Sequence, residues 1–215
     1  SDAKNVILLL EKTAALMEEP GSACETRHVA AALAGIAKLP WLKGLGTSDR
    51  LEAIALAQAQ SLLSQFKVME LSIMLWSLAK LYRGNAWQDG GDKTKKDKKK
   101  DKKKKKKDDK KDEPAPPLLY PLDLLKLGPK VLLASLIQGL VDLSKENLRD
   151  FTPQGLANTV WALATLNYKG DEEEDGADSS SGIVSMLVTA VDKAAGQFNG
   201  QELSNTLWAL AKLQV

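Results

Sequence analysis

The chain has 215 residues, a hydrophobic fraction of 44% and an aromatic fraction of only 5%. Leu and Ala dominate the apolar residues, a balance that favours helices over strands. The single cysteine, Cys24, excludes an internal disulfide and with it a small secreted disulfide scaffold. No apolar run has the length of a membrane-spanning helix. The composition therefore predicts a helical protein with no membrane partner.

The first predicted helix covers residues 3–18 and is rich in apolar residues. This segment has the features of neither a signal peptide nor an Arg- and Ser-rich transit peptide. The chain also lacks an initiator Met, which leaves open whether a targeting segment was removed or left out.

From residue 31 onwards, one nine-residue pattern recurs four times. The clear copies are IMLWSLAKL (73–81), NTVWALATL (158–166) and NTLWALAKL (205–213), and a weaker copy is AALAGIAKL (31–39). Apolar residues at three- and four-residue spacing predict an amphipathic helix in each copy. A Phe precedes the three clear copies at one fixed offset, and Cys24 stands there in the weak copy; these aromatic residues are Phe66, Phe151 and Phe198.

A second apolar helix is predicted after each of the first three copies, at 48–65, 129–144 and 182–196. Thr152 followed by Pro153 is an N-cap with Pro at the first helical position, and Asn199 with Glu202 forms a capping-box pattern. The spacings between copies are 42, 85 and 47 residues. Removing the charged insertions with their flanks brings the last two close to 38, and the first is a unit with a slightly longer loop. A unit of that length is two helices and two turns.

Such helix pairs bury their apolar faces only by stacking. The sequence therefore predicts an all-α fold, a right-handed α-solenoid of about four helix-turn-helix repeats. A globular helical bundle is the alternative. The predicted organisation is helical repeats over residues 1–83, a Lys-rich insertion over 84–117 and further repeats over 118–215, with an acidic loop at 170–181.

Two charged segments make the net charge of +2 a misleading average. Residues 92–113 hold fourteen Lys and seven acids without one aromatic or Arg, which predicts a disordered, solvated insertion. The insertion either holds phosphates non-specifically or only tunes solubility, since long surface insertions cost little stability. Residues 171–178 add six acids that would repel a polyanion. Outside both segments, sixteen basic and fifteen acidic residues nearly cancel.

The stretches FTPQGLANTVWALATL (151–166) and FNGQELSNTLWALAKL (198–213) resemble the first helix of octotricopeptide repeats, helical pairs of about 38 residues in algal organelle proteins. Related helical repeats occur in organelle proteins that carry a RAP domain. The resemblance covers most of the chain in four units, but the family's usual Pro-Pro-Pro-Glu-Trp turn is absent and no RAP-type domain can be placed. It implies an α-solenoid in a mitochondrion or chloroplast that binds RNA. Such a protein belongs to a ribonucleoprotein such as an organelle ribosome, or acts as a transcript-specific mRNA stability or translation factor.

One polar face of the repeat helices carries the candidate RNA contacts. Residues four and seven positions apart share a helix face, and a repeat that reads one base per unit needs side chains that vary there on a constant scaffold. The identical Asn158 and Asn205 also fit a structural bond between repeats, and the cations also fit plain solvation. The candidate residues, hereafter the polar stripe, are Arg27, Lys38, Ser77, Lys80, Gln154, Asn158, Thr165, Gln201, Asn205 and Lys212.

Each clear copy also has one tryptophan at its centre, Trp76, Trp161 or Trp208. Aromatic side chains can stack nucleobases, but the Leu- and Ala-rich surroundings favour a buried wedge between repeats. On that interpretation, replacing Trp161 by Ala costs several kcal/mol of stability, as large-to-small changes in a core do.

No catalytic residue, cofactor or metal is predicted. Cys24 and His28 supply only two ligands, too few for a structural zinc site. The sequence has no P-loop, dinucleotide fingerprint or zincin motif. The expected function is non-catalytic RNA binding without a small-molecule substrate, and the expected partners are RNA and neighbouring proteins of a ribonucleoprotein. A protein–protein scaffold without direct RNA readout is the alternative.

Overall fold

Eight α-helices make up most of what a computed structural model of the protein describes, namely residues 2–19, 23–42, 44–83, 129–168 and 182–215. In chain order they are α1 (Asp2–Glu18), α2 (Thr26–Lys38), α3 (Gly46–Ser61), α4 (Val68–Leu81), α5 (Pro129–Glu146), α6 (Pro153–Leu166), α7 (Ile183–Ala194) and α8 (Gly200–Leu213). No strand occurs within these ranges, and none of these helices is long and apolar enough to cross a membrane. The predicted all-α class is confirmed. The predicted Lys-rich insertion (84–117) and acidic loop (170–181) lie outside the described residues.

The same turn and the same aromatic residue precede the repeat helices α4, α6 and α8. A three-residue 3-10 turn comes directly before Phe66, Phe151 and Phe198, and each Phe amide donates to the carbonyl three residues back at 3.3 to 3.4 Å. Phe66 and Phe151 are buried and Phe198 is half-buried. The fixed offset of the aromatic residue therefore has a structural cause, because the ring packs in the hydrophobic core or against it, directly after the turn between two helices.

Side-chain caps fix where α6 and α8 begin. Thr152 Oγ1 accepts a hydrogen bond from the amide of Gly155 at 3.1 Å, with Pro153 as the first helical residue. Asn199 and Glu202 exchange two side-chain-to-backbone hydrogen bonds of 2.9 Å each. Both predicted caps are confirmed. Such a cap satisfies amides that the first helical turn leaves unpaired, and its loss costs about 1 kcal/mol.

The helices contact one another in an alternating pattern. The even-numbered repeat helices pack in series, α2 on α4, α4 on α6 and α6 on α8, and the odd-numbered partner helices pack in series from α1 through α3 and α5 to α7. Each of α2, α4 and α6 also packs against the partner helix that follows it in the chain. Helices on both sides of the 84–128 gap therefore share one hydrophobic core.

One row of apolar residues in each of three repeat helices faces this core. No member of the row is more than 4% exposed. Fully burying one Leu, Ile or Val side chain contributes about 1.5–3 kcal/mol, so these positions are a main source of the stability of the fold. The row, hereafter the inner row, comprises Val29, Leu33 and Ile36 of α2, Leu71, Leu75 and Leu78 of α4, and Leu156, Val160 and Leu163 of α6.

Two tyrosines tie the ends of repeat helices to partner helices. Tyr82, which follows α4, donates a hydrogen bond to Glu52 Oε1 of α3. Tyr168, which follows α6, donates to Gln138 Oε1 of α5 at 2.9 Å. Burial raises the pKa of Tyr82 above its ordinary value, and the negative charge of Glu52 raises it further. The folded state therefore holds Tyr82 as the neutral phenol.

Candidate nucleic-acid interface

A groove of about 490 Å³ crosses α2, α4 and α6 on the face that carries the polar stripe. It is bounded on the α2 side by small residues, because Ala34 occupies the repeat position that Trp76 holds in α4. Four residues of the polar stripe line it together with Met69, Glu70, Ile73 and Trp76; they are Arg27, Lys38, Gln154 and Asn158. The fold thus brings residues from three repeats, separated by more than a hundred positions in the chain, onto one surface.

Lysines lie over the tryptophans on this face. Lys80 Nζ is 5.4 Å from the ring centroid of Trp76 and 5.3 Å from that of Trp161. Lys212 Nζ is 5.2 Å from the ring centroid of Trp208. At such distances an ammonium is attracted to the negative face of an aromatic ring. Trp and Lys four residues apart meet on one side of a helix, and Lys80 also reaches from α4 to the ring of α6.

The tryptophans are not the buried wedges that the sequence predicts. Trp208 is 48% exposed, while Trp76 and Trp161 are half-buried, with Trp161 packed against the edge of the core. The core positions next to them in the chain belong to Leu75 and Val160, so each ring lies at the border of the apolar side of its helix. The sequence does contain a sign of this exposure. In α4 and α8 a Lys follows the Trp by four residues, a spacing typical of a cation–π pair at a helix surface.

Two members of the polar stripe are buried, which does not fit the predicted RNA contact at these positions. Ser77 has no exposed surface, and its hydroxyl donates to the carbonyl of Ile73 at 2.7 Å. Thr165 is 6% exposed, and its hydroxyl has no hydrogen-bond partner among the described residues. Thr165 occupies the repeat position of Lys80 and Lys212. A lysine stem can carry its charge from such a position to the surface, whereas a threonine side chain is too short.

The amide side chains remain accessible on α6 and α8. Gln154 and Gln201 are exposed, and Asn158 and Asn205 are half-buried. Neither Asn side chain makes a hydrogen bond to another described residue. The structural bond between repeats, which was the alternative for this pair, is therefore not formed in the part of the chain that the structure describes.

Lysines are the cations available on this face. Arg27 pairs with Glu25 at 2.8 Å, although both side chains are more than half exposed, and an exposed pair of this kind contributes little energy and screens part of the charge. Lys38 and Lys212 are exposed and form no ion pair with a described residue. Glu70 is the acid that lines the groove, and its carboxylate accepts a hydrogen bond from the amide of Lys67 at 2.9 Å at the start of α4.

Cys24 and His28 lie beside a separate pocket of about 430 Å³ between α1 and α2. Burial raises the pKa of the Cys24 thiol, whereas a nucleophilic cysteine has a lowered pKa. His28 Nδ1 accepts from the amide of Glu25 at 3.1 Å, which places the ring at the start of α2 as part of a cap. Within the described ranges, no group of three or more His, Cys, Asp or Glu residues could hold a metal ion.

The geometry thus gives the even-numbered helices one exposed and two half-buried tryptophan rings, the lysines beside them and four amide side chains. The resemblance to octotricopeptide repeats rests on the sequence of the repeat helices alone. Comparison with models of protein families, with curated proteins and with solved structures finds no match to this chain.

Proposed function

We propose that the chain is a non-catalytic RNA-binding protein, a right-handed α-solenoid of about four repeats of about 38 residues. It acts in a ribonucleoprotein of a mitochondrion or chloroplast. The observation that carries the proposal is the face on which the accessible residues of the polar stripe, the tryptophans and the lysines meet. The serial packing of repeat helices and of partner helices supports the solenoid.

Bases of a single strand would stack on the tryptophan rings. Every base has a flat π face, and stacking on an aromatic side chain contributes about 1–3 kcal/mol per base. Trp76, Trp161 and Trp208 recur at one position of successive repeat helices, so the spacing of the rings follows the spacing of the repeats. Lys80 now lies over two of these rings, and a base that stacks there takes the place of an ammonium held by about 0.5–1 kcal/mol.

The displaced lysines have a second role in this arrangement. A phosphate follows each base along the strand, so Lys80 and Lys212 can leave the rings and pair with the backbone next to the stacked base. Lys38 supplies the same charge at the α2 end of the groove. Each such pair releases counterions from the RNA, and binding must therefore weaken as the salt concentration rises.

Amide side chains give the face its capacity to distinguish bases. Gln154 and Asn158 line the groove, and Gln201 with Asn205 repeat the pair on α8. An amide offers one acceptor and two donors, which can pair with the edge of a base that is splayed out of a strand. The two pairs are identical, so the proposal assigns them the same base preference.

The near-neutral body of the protein supports a place inside a particle with protein neighbours. Outside the two charged segments, sixteen basic and fifteen acidic residues nearly balance, which is a weak field for capturing RNA alone. An organelle ribosome, where the chain would contact ribosomal RNA, is the setting that we favour. Action on one transcript, as an mRNA stability or translation factor, is the other form of the same function.

A protein-interaction scaffold is the second candidate, and the apolar lining of the groove favours it. Met69 is 73% exposed there, beside Ile73 and Trp76. A groove of this kind can take the apolar side of an amphipathic helix from a partner. The two candidates differ in their response to salt, because apolar docking does not release counterions.

The test compares the full chain with a variant that lacks residues 92–113. Binding of single-stranded and of structured RNA is measured by fluorescence anisotropy across a salt series. We expect salt-dependent binding of the single strand that survives the deletion, because the folded face is the site. Binding that disappears with the deletion would assign all contact to the Lys-rich segment, and no binding by either protein would favour the scaffold.

A further inference from the structure

Helix α2 lacks the tryptophan that the other three repeat helices carry. Ala34 stands at that position of the repeat, and it lines the groove together with Ala30 and Ala31 of the same helix. The α2 side of the groove therefore carries methyl groups where the other repeat helices carry an indole. The space that these three alanines share with Trp76 of α4, which also lines the groove, is hereafter the alanine slot.

The neighbouring pair of repeat helices is arranged differently. Between α4 and α6, Lys80 lies over the rings of both Trp76 and Trp161. Lys38 of α2 occupies the repeat position of Lys80, but it is exposed and lies over no aromatic ring of the described residues. Lys80 is not among the residues that line the groove. The alanine slot is therefore open to a flat ligand that stacks on Trp76.

A purine base matches this space in size and in kind. Purine and indole are both flat, fused pairs of a six-membered and a five-membered ring, so a purine replaces the missing side chain better than the single ring of a pyrimidine. The groove volume of about 490 Å³ lies within the usual range of ligand pockets, about 300–1,000 Å³. Met69 is 73% exposed at this groove, and its polarizable thioether favours contact with an aromatic ring.

The polar lining of the groove favours adenine among the purines. Gln154 and Asn158 border the groove with their amides, and an amide can accept from the N6 amino group of adenine while it donates to N7. Guanine is the usual partner of arginine, but Arg27 of the groove pairs with Glu25 at 2.8 Å. Lys38 supplies a positive charge for the phosphate next to the base.

We infer that the alanine slot holds one adenine base of a bound single strand, stacked on Trp76 and paired at its edge with Gln154 or Asn158. The inference rests on the proposed function, RNA binding by this face, and adds to it one position of the strand at which the base type matters. A base in the slot lies against α2 as well as on a ring, whereas a base on Trp208 lies on an exposed ring. Ala34 keeps the slot open because its side chain is small.

The experiment fills the slot without adding an aromatic ring. Anisotropy titrations compare oligoadenylate and oligouridylate of equal length on the full chain and on Ala34→Leu. Affinity of the variant for oligoadenylate should fall about fivefold or more, the lower end of what one stacked base contributes, while affinity for oligouridylate should change less than about twofold. Each strand is compared with itself across variants, so stacking within the free strand cancels.

Two further variants make the result specific to the slot. Ala31→Leu fills the same space from an exposed position, where a larger side chain does not disturb the core, and it should have the same effect as Ala34→Leu. Ala37→Leu is the matched control, because Ala37 is half-buried on α2 like Ala34 but does not line the groove. It should leave both affinities unchanged. Circular dichroism checks that each variant keeps the helical fold.

The outcomes separate this inference from the proposed function. If wild-type protein binds RNA and both slot variants lose affinity equally for the two strands, or for neither, the adenine site is refuted and RNA binding by the face stands. Failure of the wild type to bind either strand would contradict the proposed function and the inference with it. Adenosine monophosphate should not compete below about millimolar concentration, since one base alone binds weakly. Displacement of the strand by micromolar adenosine monophosphate would assign the slot to a free nucleotide and contradict the inference.

Discussion

Replacing one leucine by alanine at the same position of two repeat helices should have very different costs. Leu75 in α4 and Leu207 in α8 occupy equivalent positions of the repeat, but Leu75 is fully buried and Leu207 is 60% exposed. The pair holds residue type and helix position constant. Any difference in the free energy of unfolding therefore reports the burial that the stacked helices provide.

The expected magnitudes follow from the carbon atoms removed from the core. Leu→Ala removes three carbons, and at about 0.8 kcal/mol each the transfer term for Leu75 is about 2.4 kcal/mol. A residual cavity adds to this, so the total cost should be about 3–4 kcal/mol, within the range measured for such changes. At Leu207 less than half of the side chain is buried and no enclosed cavity forms, so the cost should be about 1 kcal/mol or less.

Urea unfolding followed by circular dichroism measures both values. We expect Leu75→Ala to shift the midpoint at least three times as far as Leu207→Ala, a ratio that follows from the two costs above. Equal shifts would refute the reasoning, because they would mean that the two positions are buried to the same extent in solution.

Three further outcomes are expected. Because its pKa is raised, Tyr82 stays neutral in the folded protein at a pH where the tyrosine of the unfolded chain ionises. The free energy of unfolding should therefore fall as pH rises above about 10. Tyr82→Phe should flatten that fall, and an unchanged pH profile would contradict the assignment. Thr152→Ala should lower the free energy of unfolding by about 1 kcal/mol, whereas Thr152→Ser should nearly retain it. In anisotropy titrations, Ser77→Ala should leave RNA affinity unchanged and Asn158→Ala should lower it. A loss of affinity on Ser77→Ala but not on Asn158→Ala would mean that Ser77, not Asn158, contacts RNA.

Helix positions could be predicted from the sequence because their causes are local. The caps at Thr152 and Asn199 need only residues three positions away, and the apolar spacing of the inner row lies within single helices. The recurrence of the nine-residue pattern then identifies which helices are equivalent members of the repeat. These signals are readable in one chain without knowledge of how the helices pack.

Burial at the edge of a helix depends instead on how closely its neighbours approach. Trp161 and Thr165 both lie beside the inner row, and only packing decides that the ring is half-buried and the hydroxyl buried. Ser77 shows a signal that was present in the sequence, since Ala162 and Ala209 occupy its position in the other repeats. A small residue at one position of several repeats indicates a close helix contact rather than a ligand contact.

The measurement that tests RNA binding by this face most directly compares two charge-matched variants of the protein without residues 92–113. One carries Lys→Gln at Lys38, Lys80 and Lys212, and the other carries Lys→Gln at Lys4, Lys12 and Lys193 on the partner helices α1 and α7. Anisotropy titrations with single-stranded RNA across a salt series should show at least a tenfold loss of affinity for the first variant only. Its salt slope should also fall by about 2, because each phosphate contact contributes about 0.7. Equal losses in both variants, or none in either, would contradict binding at the face of α2, α4, α6 and α8.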